Sequence, residues 1–326
     1  MTRRIALVGA GRIGQVHAAN AAAHPGLTLA AIVDPDHAAA SAIAARTGVA
    51  RMTFDAVVAD SGIEGVIIAS PTGQHLDQTL AAVAAGKAVF CEKPIDLDLG
   101  RVRAAACALA GAQLLVGFNR RFDPHFASLK AQLEAGAVGA VETLHITSHD
   151  PAPPPIGYVR TSGGLFKDMA IHDLDMARWL LGEEPAEVFA VAANLIDPAI
   201  GAAGDFDTAK ILLRTAGGRM AVISNSRRSG YGYDQRIEAF GSGGMARAGN
   251  VTVAQVEAWG EGGATASPLQ NFFLTRYADA YGRELDHFAD VLAGAAPMVG
   301  YADGVAALAL AEAAAESARL GKVVRV

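Results

Sequence analysis

Cysteine is nearly absent: the 326 residues hold two, Cys91 and Cys107. They match no zinc-ligand spacing and no disulfide framework, and they suit a reducing compartment. Long apolar runs are missing too. No stretch reaches the roughly 20 apolar residues that a bilayer-spanning helix needs. Basic runs stop at Arg227-Arg228, and 27 basic against 33 acidic residues leave a formal net charge of -6. That balance disfavours a nucleic-acid partner. After Thr2-Arg3-Arg4 the apolar stretch breaks at Gly9, too soon for a secretory leader. These absences together predict a cytoplasmic protein that binds neither membrane nor nucleic acid.

What is present is a globular composition, 52% apolar with ordinary charge content. The length suits two domains better than one core. The chain is organised around residues 5–14. A short apolar run there reads as a buried strand and meets Gly9-Ala10-Gly11-Arg12-Ile13-Gly14 before a helix-like stretch over 17–23. Gly9 permits a tight turn, Gly11 lets the backbone approach a pyrophosphate at a helix N-terminus, and Gly14 permits close helix–strand packing. A second apolar run, 27–33, ends at Asp34, the distance on at which a carboxylate grips a ribose 2′-hydroxyl. The pattern predicts a bound dinucleotide. Asp34 favours NAD, because its charge repels a 2′-phosphate.

Strands at 52–54, 65–69, 88–91 and 113–118 are expected to alternate with helices at 36–47, 76–85 and 99–110, and Asp55 to cap a brief helix ending at Ala59. This alternation predicts a parallel, right-handed Rossmann sheet over residues 1–118, with ligands beyond the strands' carboxyl ends. Gly9 to Gly14, Asp34, Ser70, Pro71, Thr72, His75, Glu92, Lys93 and residues 119–123 then line one crevice. After Phe118 the pattern changes. A helix at 124–135 and alternating strands at 141–148, 188–194, 208–214, 219–226 and 235–241 predict an α+β domain over 119–326. Its sheet is expected to be large, open and mostly antiparallel. A further strand pair is expected at 246–249 and 252–259, helices at 276–293 and 302–320, and a closing strand at 322–326.

Two places could carry chemistry. Lys93 follows a strand directly and precedes Pro94, which pushes it out of the helical region. It reads as a catalytic cation or as one half of a surface pair with Glu92. Residues 163–180 hold Asp168, His172, Asp173 and Asp175. Asp168 and His172 are four apart and share a helix face. Oxidation of an alcohol needs a group to accept the hydroxyl proton, and a histidine oriented by a carboxylate serves. Helix capping and metal ligation are the other readings. No third ligand stands at a recognisable spacing, so no metal is expected. Arg121, Asp150 and Tyr233 follow or precede strand ends and are weaker candidates for substrate contact.

The glycine motif at 9–14, Glu92-Lys93-Pro94, and Gly164 with Asp168 and His172 together resemble the glucose-fructose oxidoreductase / inositol dehydrogenase family of sugar and polyol oxidoreductases, over nearly the whole chain. Residues 117–123, 195–198 and 231–236 look like its inositol 2-dehydrogenase branch. The resemblance implies a catalytic set of Lys93, Asp168 and His172, with the histidine as base and the lysine and aspartate bonded to the substrate. It implies a cis bond before Pro94, substrate contacts at Arg121, Asp150 and Tyr233, and a homotetramer. The implied reaction is NAD-dependent oxidation of an inositol ring hydroxyl, myo-inositol to 2-keto-myo-inositol. His149 stands where this branch leads one to expect arginine, which leaves scyllo- and chiro-inositol open. An aldose dehydrogenase and a non-catalytic NAD-binding sensor also remain. A sensor, however, has no use for a proton acceptor beside the nicotinamide.

Overall fold

A computed structural model describes residues 2–326. They form two compact units, the first running to Phe122 and resuming at Ala280–Leu308, the second comprising Asp123–Asp279 and Ala309–Val326.

In the first unit, β1 (Arg3–Val8), β2 (Leu27–Val33), β3 (Ala50–Arg51), β4 (Gly65–Ile68), β5 (Ala88–Glu92) and β6 (Leu114–Gly117) form one parallel sheet in the order β3-β2-β1-β4-β5-β6. Continuous apolar strands are what a sheet covered on both faces requires, and every residue of β4 and β6 is buried. Strand order reverses on either side of β1, and such a reversal is where a doubly wound sheet takes its ligand. Because the strands are parallel, Gly9, Asp34, Ala69 and Lys93 all leave the sheet at one edge.

Local chemistry sets the boundaries. Asp36 accepts hydrogen bonds from the main-chain N–H groups of Ala38 (2.9 Å) and Ala39 (3.2 Å) and starts the helix His37–Thr47. The strand expected at 52–54 is displaced to Ala50–Arg51. Thr53 instead caps the helix Phe54–Ala59, its Oγ1 accepting from Ala56 N, so the cap is Thr53 rather than Asp55. A hydroxyl with a free N–H three residues ahead outweighed β propensity. The single helices expected at 99–110 and 276–293 are each broken, at Ala105 and Tyr277.

The segment Ala280–Leu308, which the sequence reading assigns to the second domain, completes the first unit. Phe288 packs on Phe90 with ring centroids 5.7 Å apart. A Cβ at Gly65 would lie 2.8 Å from Leu292. Val116 N donates to Val299 O at 2.9 Å.

The second unit is built on β7 (Val141–His149), β8 (Pro185–Ala193), β9 (Thr208–Thr215), β10 (Met220–Ser226), β11 (Asp234–Gly241) and β12 (Gly244–Ala248). A separate hairpin follows, β13 (Glu257–Gly260) with β14 (Gly263–Ala266), in place of the pair expected at 246–249 and 252–259. The short strand β15 (Val324–Arg325) closes the edge of a sheet ordered β12-β11-β7-β10-β9-β8-β15. The neighbours β7 and β10 run parallel and the other pairs antiparallel. The helix Ile171–Leu181 packs on β7 and β10. The opposite face is open, and Leu212 and Val222 stand exposed on it, directly across from one another.

Asp123 and Arg276 pin this unit together. Both side chains are almost fully buried and paired, and the Asp123 carboxylate also caps the helix Pro124–Glu134. The Arg276 guanidinium lies over the rings of Phe126 and Tyr277, 5.4 and 4.8 Å from their centroids.

Candidate active site

In the first unit the glycine loop is shaped by three separate requirements. Gly9 has φ +102°, and a Cβ there would meet Ala69 O at 2.3 Å. A Cβ on Gly14 would fall 2.0 Å from Gly9 O, so the helix Arg12–Ala23 can approach β1 only without a side chain there. Gly11 differs: nothing lies within 4 Å of a Cβ placed on it. It is the N-cap of that helix, with no side-chain cap and no acidic residue in the first turn, where Arg12 and Ile13 stand. Asp34 Oδ2 accepts from Ala10 N at 2.6 Å and Oδ1 from Asp36 N at 2.7 Å. One carboxylate thus ties the loop after β1 to the loop after β2, with lone pairs to spare. An open anion cradle beside an anchored carboxylate fits a dinucleotide.

Two neighbouring loops complete this half. Ser70 follows β4, donates its hydroxyl to Gln78 (2.6 Å), and precedes Pro71 and the 3₁₀ turn Thr72–Gln74. Glu92 ends β5 and is bonded to His17 Nε2 at 2.7 Å, and the Lys93–Pro94 peptide is cis. His75 is buried, and both its ring nitrogens reach main-chain carbonyls, of Pro94 and of Ser70. Burial opposes a charge on this ring, yet Cys91 and the two carbonyls outweigh it and push the imidazole up to about 9. Arg121 is also buried here, donating to Asp303 at 2.8 Å. Glu284, invisible to motif reading, is wholly buried, and the dry surroundings with Glu92 nearby push its carboxyl well above the usual range.

In the second unit, Gly164 takes φ +78° and opens a π-helical segment, Leu165–Ala170, that runs into the helix Ile171–Leu181. The spacing of Asp168 and His172 is therefore not that of one regular α-helix. Asp168 leaves from the wider π turn and His172 from the first α turn, a device found at functional sites. Asp168 accepts from Tyr158 Oη at 2.9 Å and lies 3.6 Å from Arg227 Nη1. The two other carboxylates of this stretch have structural work: Asp173 accepts from Asn225 Nδ2 at 2.7 Å, and Asp175 lies 3.5 Å from Arg178.

Asp150 and Tyr233 meet this region from the sheet. His149 ends β7 opposite both Ser226 of β10 and Asp234 of β11, so Asp150, Arg227 and Tyr233 lie at one end of the sheet. Asp150 N donates to Ser226 O at 2.9 Å. Tyr233 is buried edge-on against Tyr277, with ring centroids 6.0 Å apart. His149 donates to or accepts from Ser224 Oγ at 2.8 Å, and burial depresses its pKa.

Sequence reasoning missed Arg227. The signal was there as Arg227-Arg228, read only as a short basic run, but nothing in the chain order says that one of the two is buried. Arg227 is 1% exposed and stands between Asp168 and Asp205, 3.5 Å from the latter. Among the described residues, no group of three or more His, Cys, Asp or Glu side chains is placed to hold a metal ion. Nor is any helix long and apolar enough to cross a membrane.

Residues 3–119 match the oxidoreductase family with an NAD-binding Rossmann fold, and residues 126–247 the GFO/IDH/MocA C-terminal domain. The inositol 2-dehydrogenase of Rhizobium meliloti (strain 1021) is 50% identical over 320 residues, 97% of each chain. The crystal structure of a myo-inositol dehydrogenase from Corynebacterium glutamicum ATCC 13032 superposes with a TM-score of 0.95 at 44% identity, covering 100% of this chain and 99% of that one. That of scyllo-inositol dehydrogenase from Lactobacillus casei, with bound NAD(H) and scyllo-inositol, superposes with a TM-score of 0.93 at 31% identity, covering 100% and 99%. With an open helix N-terminus behind β1 in one unit and a broad, mostly antiparallel sheet in the other, the chain belongs to the GFO/IDH/MocA family of oxidoreductases.

Proposed function

We propose that the protein oxidises a ring hydroxyl of an inositol with NAD, taking myo-inositol to 2-keto-myo-inositol. The observation that carries this reading is the half-identity to an inositol 2-dehydrogenase along almost the whole of both chains. The glycine loop, the N-terminus of the helix Arg12–Ala23 and Asp34 hold the dinucleotide, with Ser70, Pro71, Thr72 and Glu92 on the adjoining loops. The bound nicotinamide supplies the hydride acceptor.

The remaining work falls to side chains. His172 accepts the hydroxyl proton, which requires a neutral ring. Asp168, with the buried cation of Arg227 behind it and Tyr158 beside it, presents a fixed carboxylate to the substrate. Lys93 places positive charge where the hydroxyl oxygen becomes more negative. Asp150 and Tyr233 serve the substrate's other hydroxyls. Arg121, anchored through Nη2 on Asp303, is a further contact for the substrate. The protein acts as a homotetramer whose copies meet on the open sheet face, where Leu212, Val222 and Val191 are exposed.

The test is NADH absorbance with purified protein, NAD or NADP, and a panel of myo-, scyllo- and chiro-inositol, glucose, galactose and xylose. Rapid reduction of NAD with myo-inositol is expected. Activity on aldoses alone would keep the residues and move the substrate, and silence across the panel with NAD still bound would favour a sensor.

Cofactor choice rests on Asp34. In Asp34→Ala, kcat/KM for NAD should fall by about 10–100-fold, the worth of one charge-assisted hydrogen bond to the ribose, and the preference over NADP should relax. Unchanged NAD kinetics would show that the ribose is gripped elsewhere.

A further inference from the structure

His75 begins the helix His75–Ala84 and is 2% exposed. Its ring lies between two main-chain carbonyls, with Nδ1 2.8 Å from Pro94 O and Nε2 2.7 Å from Ser70 O. A carbonyl oxygen only accepts, and a neutral imidazole carries a single N–H. Both contacts are hydrogen bonds only when each ring nitrogen holds a proton. A neutral ring would set one nitrogen lone pair against a carbonyl lone pair, at a side chain only 2% exposed. We propose that His75 is a standing imidazolium that clamps the loop after β4 to the loop after β5, and so is a positioning residue for Lys93.

The geometry explains why a histidine is needed. Its two donors point in nearly opposite directions from a flat, rigid ring, so a single side chain joins two loops. Lysine would offer its donors from one point, and an amide has no positive charge to strengthen them. One bond falls on Ser70, at the head of the segment read as touching the dinucleotide. The other falls on Pro94, directly after Lys93. Burial opposes a charge on the ring, whereas Cys91, the titratable side chain acting on it, and the two carbonyls favour the charged form. The clamp itself depends only on the two contacts. Its consequence for turnover rests on the reading of Lys93 as a residue of the reaction.

The charge is read by NMR of the full-length protein labelled with ¹⁵N-histidine, the His75 ring being assigned by correlation to its own backbone amide. At pH 7.5 both ring nitrogens should be protonated, with a titration midpoint near 9 instead of the ordinary value of about 6.5. A neutral tautomer at pH 7.5 would overturn the proposal, and this measurement needs no variant. Kinetics test the positioning. In His75→Gln, kcat should fall by about 10–100-fold, the scale of a displacement near 1 Å at a reacting group. The double variant Lys93→Ala/His75→Gln should be no slower than Lys93→Ala, since the second change acts through the first residue. Losses that multiply would overturn the positioning role. Normal turnover in Lys93→Ala would instead bring down the reading of Lys93 and the positioning role with it, while the NMR result decides the charge on its own.

Discussion

In His172→Ala, kcat for inositol oxidation drops by about 10²–10⁴-fold, the contribution of a well-placed general base, and NAD affinity is unchanged. The two effects separate because, in the proposed mechanism, the glycine loop and Asp34 hold the dinucleotide while His172 takes the hydroxyl proton. Stopped-flow turnover measures one quantity and quenching of protein fluorescence by NAD the other. Lys93→Ala gives a comparable loss. Near-normal turnover in both variants would remove the catalytic assignment, and a tenfold loss of NAD affinity in His172→Ala would mean that the residue serves the cofactor.

A second large effect concerns stability. Arg276→Ala leaves Asp123 buried without its counter-charge, at a cost of about 3–5 kcal/mol, and lowers the melting temperature by about 10 °C. Arg276 also covers the rings of Phe126 and Tyr277, so the loss includes packing as well as charge. Replacing both partners, as in Asp123→Ser/Arg276→Met, removes the orphaned carboxylate, keeps the cap on the helix Pro124–Glu134, and should recover part of the loss. Differential scanning calorimetry decides. A shift of less than about 2 °C for Arg276→Ala would mean that water reaches Asp123 in the variant and the pair contributes little.

These two residue sets were not equally legible. The parallel sheet could be read from the sequence because its strands are apolar without interruption and its glycines and Asp34 fall at spacings that only the turn after β1 demands. Lys93 and the stretch from Asp168 to His172 stand out as candidates for a similar reason: polar groups lie where packing alone would not put them. Arg276 and Asp123 carried no such mark. Their pairing spans most of the second unit, and only folding brings a long-range charge to its partner. Arg227 was hidden in the same way, since adjacent arginines read alike until one is seen to be buried. The π turn at Leu165–Ala170 escaped because one extra residue in a helical turn leaves no periodic trace over so short a segment. Thr53 shows the opposite error, a β-branched residue read as strand although its hydroxyl had a better use as a cap.

The return of residues 280–308 to the first unit has a consequence for how the protein is made. Emerging from the ribosome, the nucleotide-binding sheet appears before its cover, and its Phe90 has no Phe288 to meet until the whole insert Asp123–Asp279 has been synthesised. At synthesis rates of about 5–20 residues per second, that wait lasts roughly 10–30 s. For that interval the nucleotide-binding sheet carries a bare apolar flank beside Gly65 and Phe90, a surface for a chaperone to shield. No stop codon placed after β6 would yield a finished nucleotide-binding module, because the piece that seals it, Ala280–Leu308, is encoded only after the whole of Asp123–Asp279.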